Sequence, residues 1–185
     1  RARLVRRYAQ ELTDLVARAM DAQVTGTVAE RDAAAAQALV DLLPVDTDLT
    51  VITNSIPAAA ALAGRPGIDL YLVGGRVRGV TAAAVGDWAG AALAGVVVDV
   101  AVMGTNGISA ARGLTTPDQA EAQAKRAMVA AARRVVVATD SSKAGDDHLH
   151  RFADLADVDL VVTDADLADD VAEELRAAGP EVVTA

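Results

Sequence analysis

Two periodicities alternate along this chain, and that alternation constrains its fold more than any other feature. Short apolar runs rich in Val and Ile occur at Leu49–Thr53, Asp69–Val73, Val96–Met103, Arg134–Thr139 and Val158–Thr163. Stretches with helical spacing lie between or after them, at 56–64, 86–94, 117–133 and 166–178. Runs that are apolar at both parities predict strands buried on both faces, and such strands belong to parallel sheets. Val182–Thr184 is a candidate sixth strand. Strands alternating with helices predict an α/β domain: a mostly parallel, doubly wound sheet with right-handed crossovers and helices on both faces. The helix over 117–133 carries the clearest start signal. Thr116-Pro-Asp-Gln119 reads as a capping box with Pro at the first helical position. Asp118 and Glu121 in its first turn suit the positive end of the helix dipole.

Composition says what fills such a core. Apolar residues make up 52% of the chain and aromatics only 2%, so Ala, Val and Leu must do the packing. Before the alternation begins, Leu4, Val5, Tyr8, Leu12, Leu15, Val16 and Met20 predict an amphipathic helix with a basic start at Arg1, Arg3, Arg6 and Arg7. A second, Ala-rich helix is expected over 32–43, closed before Pro44. The chain thus divides into an N-terminal helical segment, 1–44, and an α/β domain, 45–185. It opens on Arg1 rather than Met, which reads as a fragment with something upstream. A net charge of -9 makes this segment a poor binder of nucleic acid. The lack of Cys rules out thiol catalysis and thiolate metal sites and suits a cytoplasmic protein. No run reaches the roughly 18 apolar residues of a membrane span.

The strand ends carry the chemistry. Thr53-Asn-Ser55 follows the first run, Gly74-Gly75 the second, Gly104-Thr-Asn-Gly107 the third, Asp140-Ser-Ser-Lys143 the fourth and Thr163-Asp164 the fifth. Open α/β sheets bind ligands at the carboxyl ends of their strands. Hydroxyls, amides, bare backbone at Gly and one ammonium suit a small polar anion. The chain has fifteen Arg and only two Lys, Lys125 and Lys143. A compact ammonium suits phosphate, whereas Arg is a planar fork. Lys125 follows Glu121 by four residues and can pair with it along the helix. Trp88 is expected in the core or at an interface. No Gly-rich dinucleotide fingerprint, P-loop or nucleophile elbow occurs, and neither a metal site nor a cofactor is expected.

Six segments, in order and spacing, resemble the C-terminal effector-binding domain of DeoR-family bacterial transcription regulators. They are Thr50-Val-Ile-Thr-Asn-Ser55, Leu72-Val-Gly-Gly-Arg-Val77, Asp99-Val-Ala-Val-Met-Gly-Thr-Asn-Gly-Ile108, Gly113-Leu-Thr-Thr116, Glu121-Ala-Gln-Ala-Lys-Arg-Ala-Met128 and Ala138-Thr-Asp-Ser-Ser-Lys143. The resemblance covers about residues 45–165. It implies the fold shared with ribose-5-phosphate isomerase and glucosamine-6-phosphate deaminase, a phosphorylated sugar or related metabolite as effector, and an N-terminal helix-turn-helix, which this chain lacks. One departure stands out. The family's Asp-Ser-Gly-Thr-Thr phosphate loop is replaced by Asp32-Ala-Ala-Ala-Ala36, whose methyl groups supply no hydroxyl.

The isomerases of that fold carry an Asp-Gly-Ala-Asp-Glu segment where this chain resembles them with Met103-Gly-Thr-Asn-Gly107. The carboxylates are replaced at Met103, Asn106 and Gly107, and a general base needs a titratable group at the substrate proton. The expectation is therefore a binding pocket and not an enzyme. Lys143 with Asp140, Ser141 and Ser142 is expected to hold the anion or hydroxyls. Thr53, Asn54, Ser55, Gly74, Gly75, Gly104 and Gly107 would meet the ligand by side chain and backbone. Asn106 would bind a hydroxyl, with Glu121 and Lys125 at the rim and Asp99 a further candidate carboxylate. Ligand binding would alter oligomer geometry and hence the operator affinity of a repressor-type module. Two other readings stay open: a sugar-phosphate isomerase or deaminase using Asp99 or Glu121, and an oligomerisation domain without a ligand.

Overall fold

The computed structural model describes Val40, Leu43 and residues 48–184. The N-terminal helices, the 1–44 boundary and the Ala33–Ala36 segment expected from the sequence lie outside the described residues. Strand β1, Leu49–Thr53, runs into helix α1, Ile56–Leu62, and returns as the parallel strand β2, Ile68–Leu72. Ser55 starts the helix because its hydroxyl accepts the backbone N–H of Ala58, with Pro57 in the first turn.

A four-stranded parallel sheet forms the other part. Its order is β11 (Glu181–Thr184), β10 (Leu160–Thr163), β8 (Val135–Ala138) and β5 (Ala101–Met103). Alternate residues of these strands enter two separate clusters. Met103, Val135, Val137, Val161 and Val182 face the main core, while Val136, Leu160 and Val162 pack together on the reverse side. This double burial is what runs apolar at both parities predicted. Burying a Val or Leu fully contributes about 1.5–3 kcal/mol, so these doubly packed strands contribute strongly to stability.

Helices cover both faces of the β1–β2 pair. Leu62 and Ala58 of α1 pack with Val51, Ile68 and Leu70 on one side. On the other, Ala89 and Leu93 of α2, Asp87–Leu93, join Ala124 and Met128 of α3, Gln119–Ala131, against Ile52 and Val73. Small Ala side chains let these helices approach closely. Helix α4, Asp169–Ala177, sets Ala172 and Leu175 into the main core.

The α/β class holds, with three differences from the sequence reading. First, antiparallel pieces interrupt the alternation. Strands β3 (Arg76–Arg78) and β4 (Ala83–Val85) form a hairpin, and β6 (Gly107–Ser109), β7 (Gly113–Thr116) and β9 (His150–Ala153) form a three-stranded sheet. Short strands of mixed Gly, Thr and Arg carry too little apolar periodicity to stand out. Second, the run at 96–103 is a strand only over Ala101–Met103; Val98 makes an isolated bridge to Ala132. Third, Thr116 is not the helix cap. It ends β7, and the side chain of Asp118 accepts the N–H of Glu121 at 2.8 Å. Pro117 therefore precedes the cap.

Gly107 shows how tightly β6 is held. A Cβ there would stand 2.2 Å from the carbonyl oxygen of Asp146, so only glycine fits. None of the described helices is long and apolar enough to cross a membrane.

Candidate functional site

The carboxyl ends of β5 and β8 lie side by side, and their loops are tied together. A Cβ on Gly104 would sit 3.8 Å from the carbonyl of Ala138, and the N–H of Gly145 donates to Ile108 at 2.8 Å. After β8 the chain makes a 3₁₀ turn, Ser141–Lys143, capped by Asp140, whose carboxylate accepts the N–H of Ser142 at 3.2 Å and also its hydroxyl. Lys143 is only 4% exposed, and its Nζ lies 3.4 Å from Oδ2 of Asp140. The Asp140 carboxylate thus stands beside this buried side chain at the strand end. From the end of β10, Asp164 accepts the N–H of Ser141 at 2.7 Å. Burial pushes the Asp164 carboxyl up, but the N–H and hydroxyl of Ser141 and the N–H groups of Asp166 and Asp164 outweigh it and hold it below its ordinary value.

The loop after β5 is fixed from beneath. The fully buried Thr105 hydroxyl donates to Gly107 at 2.8 Å, and the Asn106 N–H donates to Thr115 at 3.3 Å. The His148 ring nitrogen lies 3.1 Å from the Asn106 carbonyl, and its backbone N–H donates to the Thr115 hydroxyl at 3.0 Å. The Asn106 side-chain oxygen is buried with no hydrogen-bond partner.

A third group gathers where α3 begins. Glu121, 8% exposed, receives Lys125 Nζ at 3.0 Å on Oε1 and Arg78 Nη1 at 3.6 Å on Oε2. Arg78 Nε also lies 3.4 Å from Asp118. The Lys125 ammonium stands 5.1 Å above the Phe152 ring, a cation–π arrangement. The N–H of Glu121 holds the Asp118 carboxyl below its ordinary value; partial burial opposes this, and Arg78, the N–H of Ala120 and Arg76 add to it. The pairing of Glu121 with Lys125 follows from their spacing. Arg78 was missed, although its alternation with Arg76 in a three-residue strand is the one trace it left.

Other expected residues are engaged locally. Asn54 donates from Nδ2 to Ala84 at 2.8 Å and so clamps the β3–β4 hairpin, Thr53 accepts the Ser55 N–H at 3.1 Å, and Ser55 caps α1. Gly75, at φ 148°, packs under Val85 and Ala89, whereas the side-chain position of Gly74 is open. Asp99 does not join the site. It lies at the opposite edge, before β5 begins, exposed and 3.6 Å from Arg133. The apolar run that predicted a strand through Asp99 is broken there by a bend. Trp88 is 80% exposed, not in the core.

Two shallow depressions, of about 360 and 470 Å³, flank the start of α3 near Arg76 and Gln123. Neither is lined by Lys143, Asn106 or Glu121. The buried Lys143 and the unpartnered side-chain oxygens of Asn106 and Thr163 lie at or just after strand ends instead, and these mark the better candidate site.

Residues 31–165 match the family of the DeoR C terminal sensor domain. The chain belongs to that family. This sensor domain is 34% identical over 142 residues to a candidate aga operon transcriptional repressor of Escherichia coli O157:H7, covering 77% of this chain and 53% of that protein. It is 37% identical over 141 residues to the HTH-type transcriptional regulator GlpR of Haloferax volcanii, covering 76% and 55%. It is 27% identical over 119 residues to the Glycerol-3-phosphate regulon repressor of Escherichia coli K12, covering 64% and 47%. The sensor domain thus spans about half the length of these curated relatives. All three are regulators of transcription, which places the chain among sensor domains and not among enzymes.

Proposed function

We propose that this sensor domain binds a phosphorylated sugar or a related anionic metabolite at the carboxyl ends of β5 and β8. It would act in the cytoplasm, as a homo-oligomer, for a regulator whose DNA contacts come from a separate helix-turn-helix module. The observation that carries the reading is Lys143, a nearly buried ammonium at the end of β8, in a turn of hydroxyls beside the Gly104–Gly107 loop. Asp140 orients that ammonium, and the Ser141 and Ser142 hydroxyls and the Gly104 and Gly107 backbone offer short polar contacts. Glu121 and Lys125 stand at the edge. The name of one relative, a repressor of a glycerol-3-phosphate regulon, supports a phosphorylated polyol. For such a domain to act as a switch, the effector must bind one oligomer geometry more tightly than another.

The test is a thermal-shift and calorimetric screen of the chain with sugar phosphates, inorganic phosphate and sulfate. A ligand present at a hundredfold excess over its dissociation constant stabilises by about 2.7 kcal/mol. A shift with a sugar phosphate that is lost in Lys143→Met supports the reading. A chain that no anion stabilises would instead be an oligomerisation domain without a ligand.

A further inference from the structure

The β1–β2 pair ends at an open edge. Among the described residues β2 pairs only with β1. The N–H of Leu49 donates to Gly67 and that of Val73 to Thr53, both at 2.8 Å. Backbone groups alternate in direction along a strand, so Asp69 and Tyr71 face β1, while Ile68, Leu70 and Leu72 turn theirs outward. The Ile68 N–H is held by Arg65 at 3.3 Å, and its C=O points away from β1. Tyr71 and Leu72 are each 55% exposed, on opposite faces of the strand. Asp69 is the one charge among its five residues. The other described edges are different: the large apolar residues of β1, β5 and β11 are half-buried or buried.

An exposed apolar edge is a template for another strand. The register that satisfies this edge selects its occupant. A second β2, running antiparallel about a two-fold axis at Leu70, lets Leu70 exchange both backbone bonds with the partner's Leu70. The Leu72 N–H then meets the C=O of the partner's Ile68, and the Leu72 side chain covers the partner's Ile68 on one face. On the other face Asp69 stands opposite the partner's Tyr71, so no like charges meet. Sliding the partner two residues one way sets Asp69 against the partner's Asp69, and directly opposed like charges repel. Sliding it the other way puts Ile68 beyond the end of the partner's strand. One register of β2 with itself therefore uses the whole edge and keeps the charges apart.

We propose that β2 is an interface between two copies of this chain, paired antiparallel about Leu70 so that their sheets run on into one another. The contact is isologous, the kind that closes a two-fold dimer. The inference rests on the homo-oligomer reading above and names the surface that reading lacks. Further large apolar side chains, Ile56, Val77 and Val80, stand exposed in the segments that leave β1 and β2 and add to the apolar surface of this part of the molecule. Strand β2 also runs by way of Val73 into Gly74 and Gly75, so one strand joins the two-fold axis to residues expected at the ligand.

The experiment follows the mass of the whole chain by sedimentation velocity over a range of concentrations, for the wild type, Tyr71→Asp, Tyr71→Lys and the double variant Asp69→Lys with Tyr71→Asp. Both side chains are exposed, so the variants should fold. Tyr71→Asp sets two carboxylates opposite each other twice per dimer and should weaken association by about tenfold or more. Tyr71→Lys faces the partner's Asp69 and should associate at least as well as the wild type. The double variant, with its charges exchanged across the axis, should regain what Tyr71→Asp loses. Undiminished association of Tyr71→Asp overturns the inference and leaves the homo-oligomer reading standing, since the copies then meet elsewhere. Equal weakening by Tyr71→Asp and Tyr71→Lys overturns it too, because the register would have no part in the contact. Should Tyr71→Asp fail to fold, Leu72→Glu on the other face decides: it should weaken association, and an unchanged mass overturns the inference. A wild-type chain that stays a monomer at every concentration overturns both the inference and the homo-oligomer reading.

Discussion

The polar residues after β1 and those where β7 meets α3 look alike as letters and differ as structure. After β1, Thr53, Asn54 and Ser55 spend their side chains on the protein itself, holding a turn, clamping a hairpin and starting a helix. At the second place Thr116 and Glu121 are buried and each keeps a side-chain oxygen without a hydrogen-bond donor. A run of Ser, Thr and Asn at a strand end is therefore not in itself a pocket. What distinguishes a pocket is polar capacity that the fold leaves unused.

Two glycine substitutions test that contrast most severely. Gly107→Ala forces a methyl group against the backbone of Asp146 and should destabilise the chain by about 3 kcal/mol or more, read as the midpoint of urea unfolding. Gly74→Ala meets nothing within 4 Å and should leave the midpoint nearly unchanged. Equal effects would mean that the β6 loop is as loosely held as the β2 loop. Next in size, Asn54→Ala removes the bond to Ala84 and should cost about 1 kcal/mol. If Asn54 serves the protein only, ligand affinity stays put; a parallel loss of affinity would erase the difference between the two places.

Acid should act on two acidic turns, one at the start of α3 and one after β10. Asp118 and Asp164 have folded values held below ordinary ones. Their contribution to stability is present above the unfolded carboxylate value of about 3.9 and is lost as pH falls through the lowered folded values. Melting temperature should therefore decline below about pH 4, and the decline should be shallower in Asp164→Asn. The smallest effect belongs to Asp99→Asn. That residue sits in an exposed pair with Arg133 at the far edge, and its loss should change stability by no more than about 0.5 kcal/mol.

Much of this was legible in the residues. Valine-rich runs gave the parallel strands because burial on both faces leaves no room for a polar alternation. Each of the helices α1 to α4 fell within its predicted stretch, since Ala-rich periodicity bounded by Ser55, Asp118 or Gly179 marks a helix well. The antiparallel strands escaped because three-residue segments such as Arg76–Arg78 have no period to detect. Within the candidate site, Lys143 and the Glu121–Lys125 pair were visible from residue type and spacing. Arg78 was not, because its contact with Glu121 and Asp118 depends on a hairpin folding back onto α3. Asp99 misled for the opposite reason: it sits inside an apolar run that the chain leaves by a bend.

One consequence concerns how this protein can be watched. Its single tryptophan, Trp88, is 80% exposed in the folded chain. An indole already bathed in water changes its emission little when the chain around it comes apart. Intrinsic fluorescence is thus nearly blind to unfolding of the valine core, and the melting curves described above need far-ultraviolet circular dichroism or calorimetry to be seen.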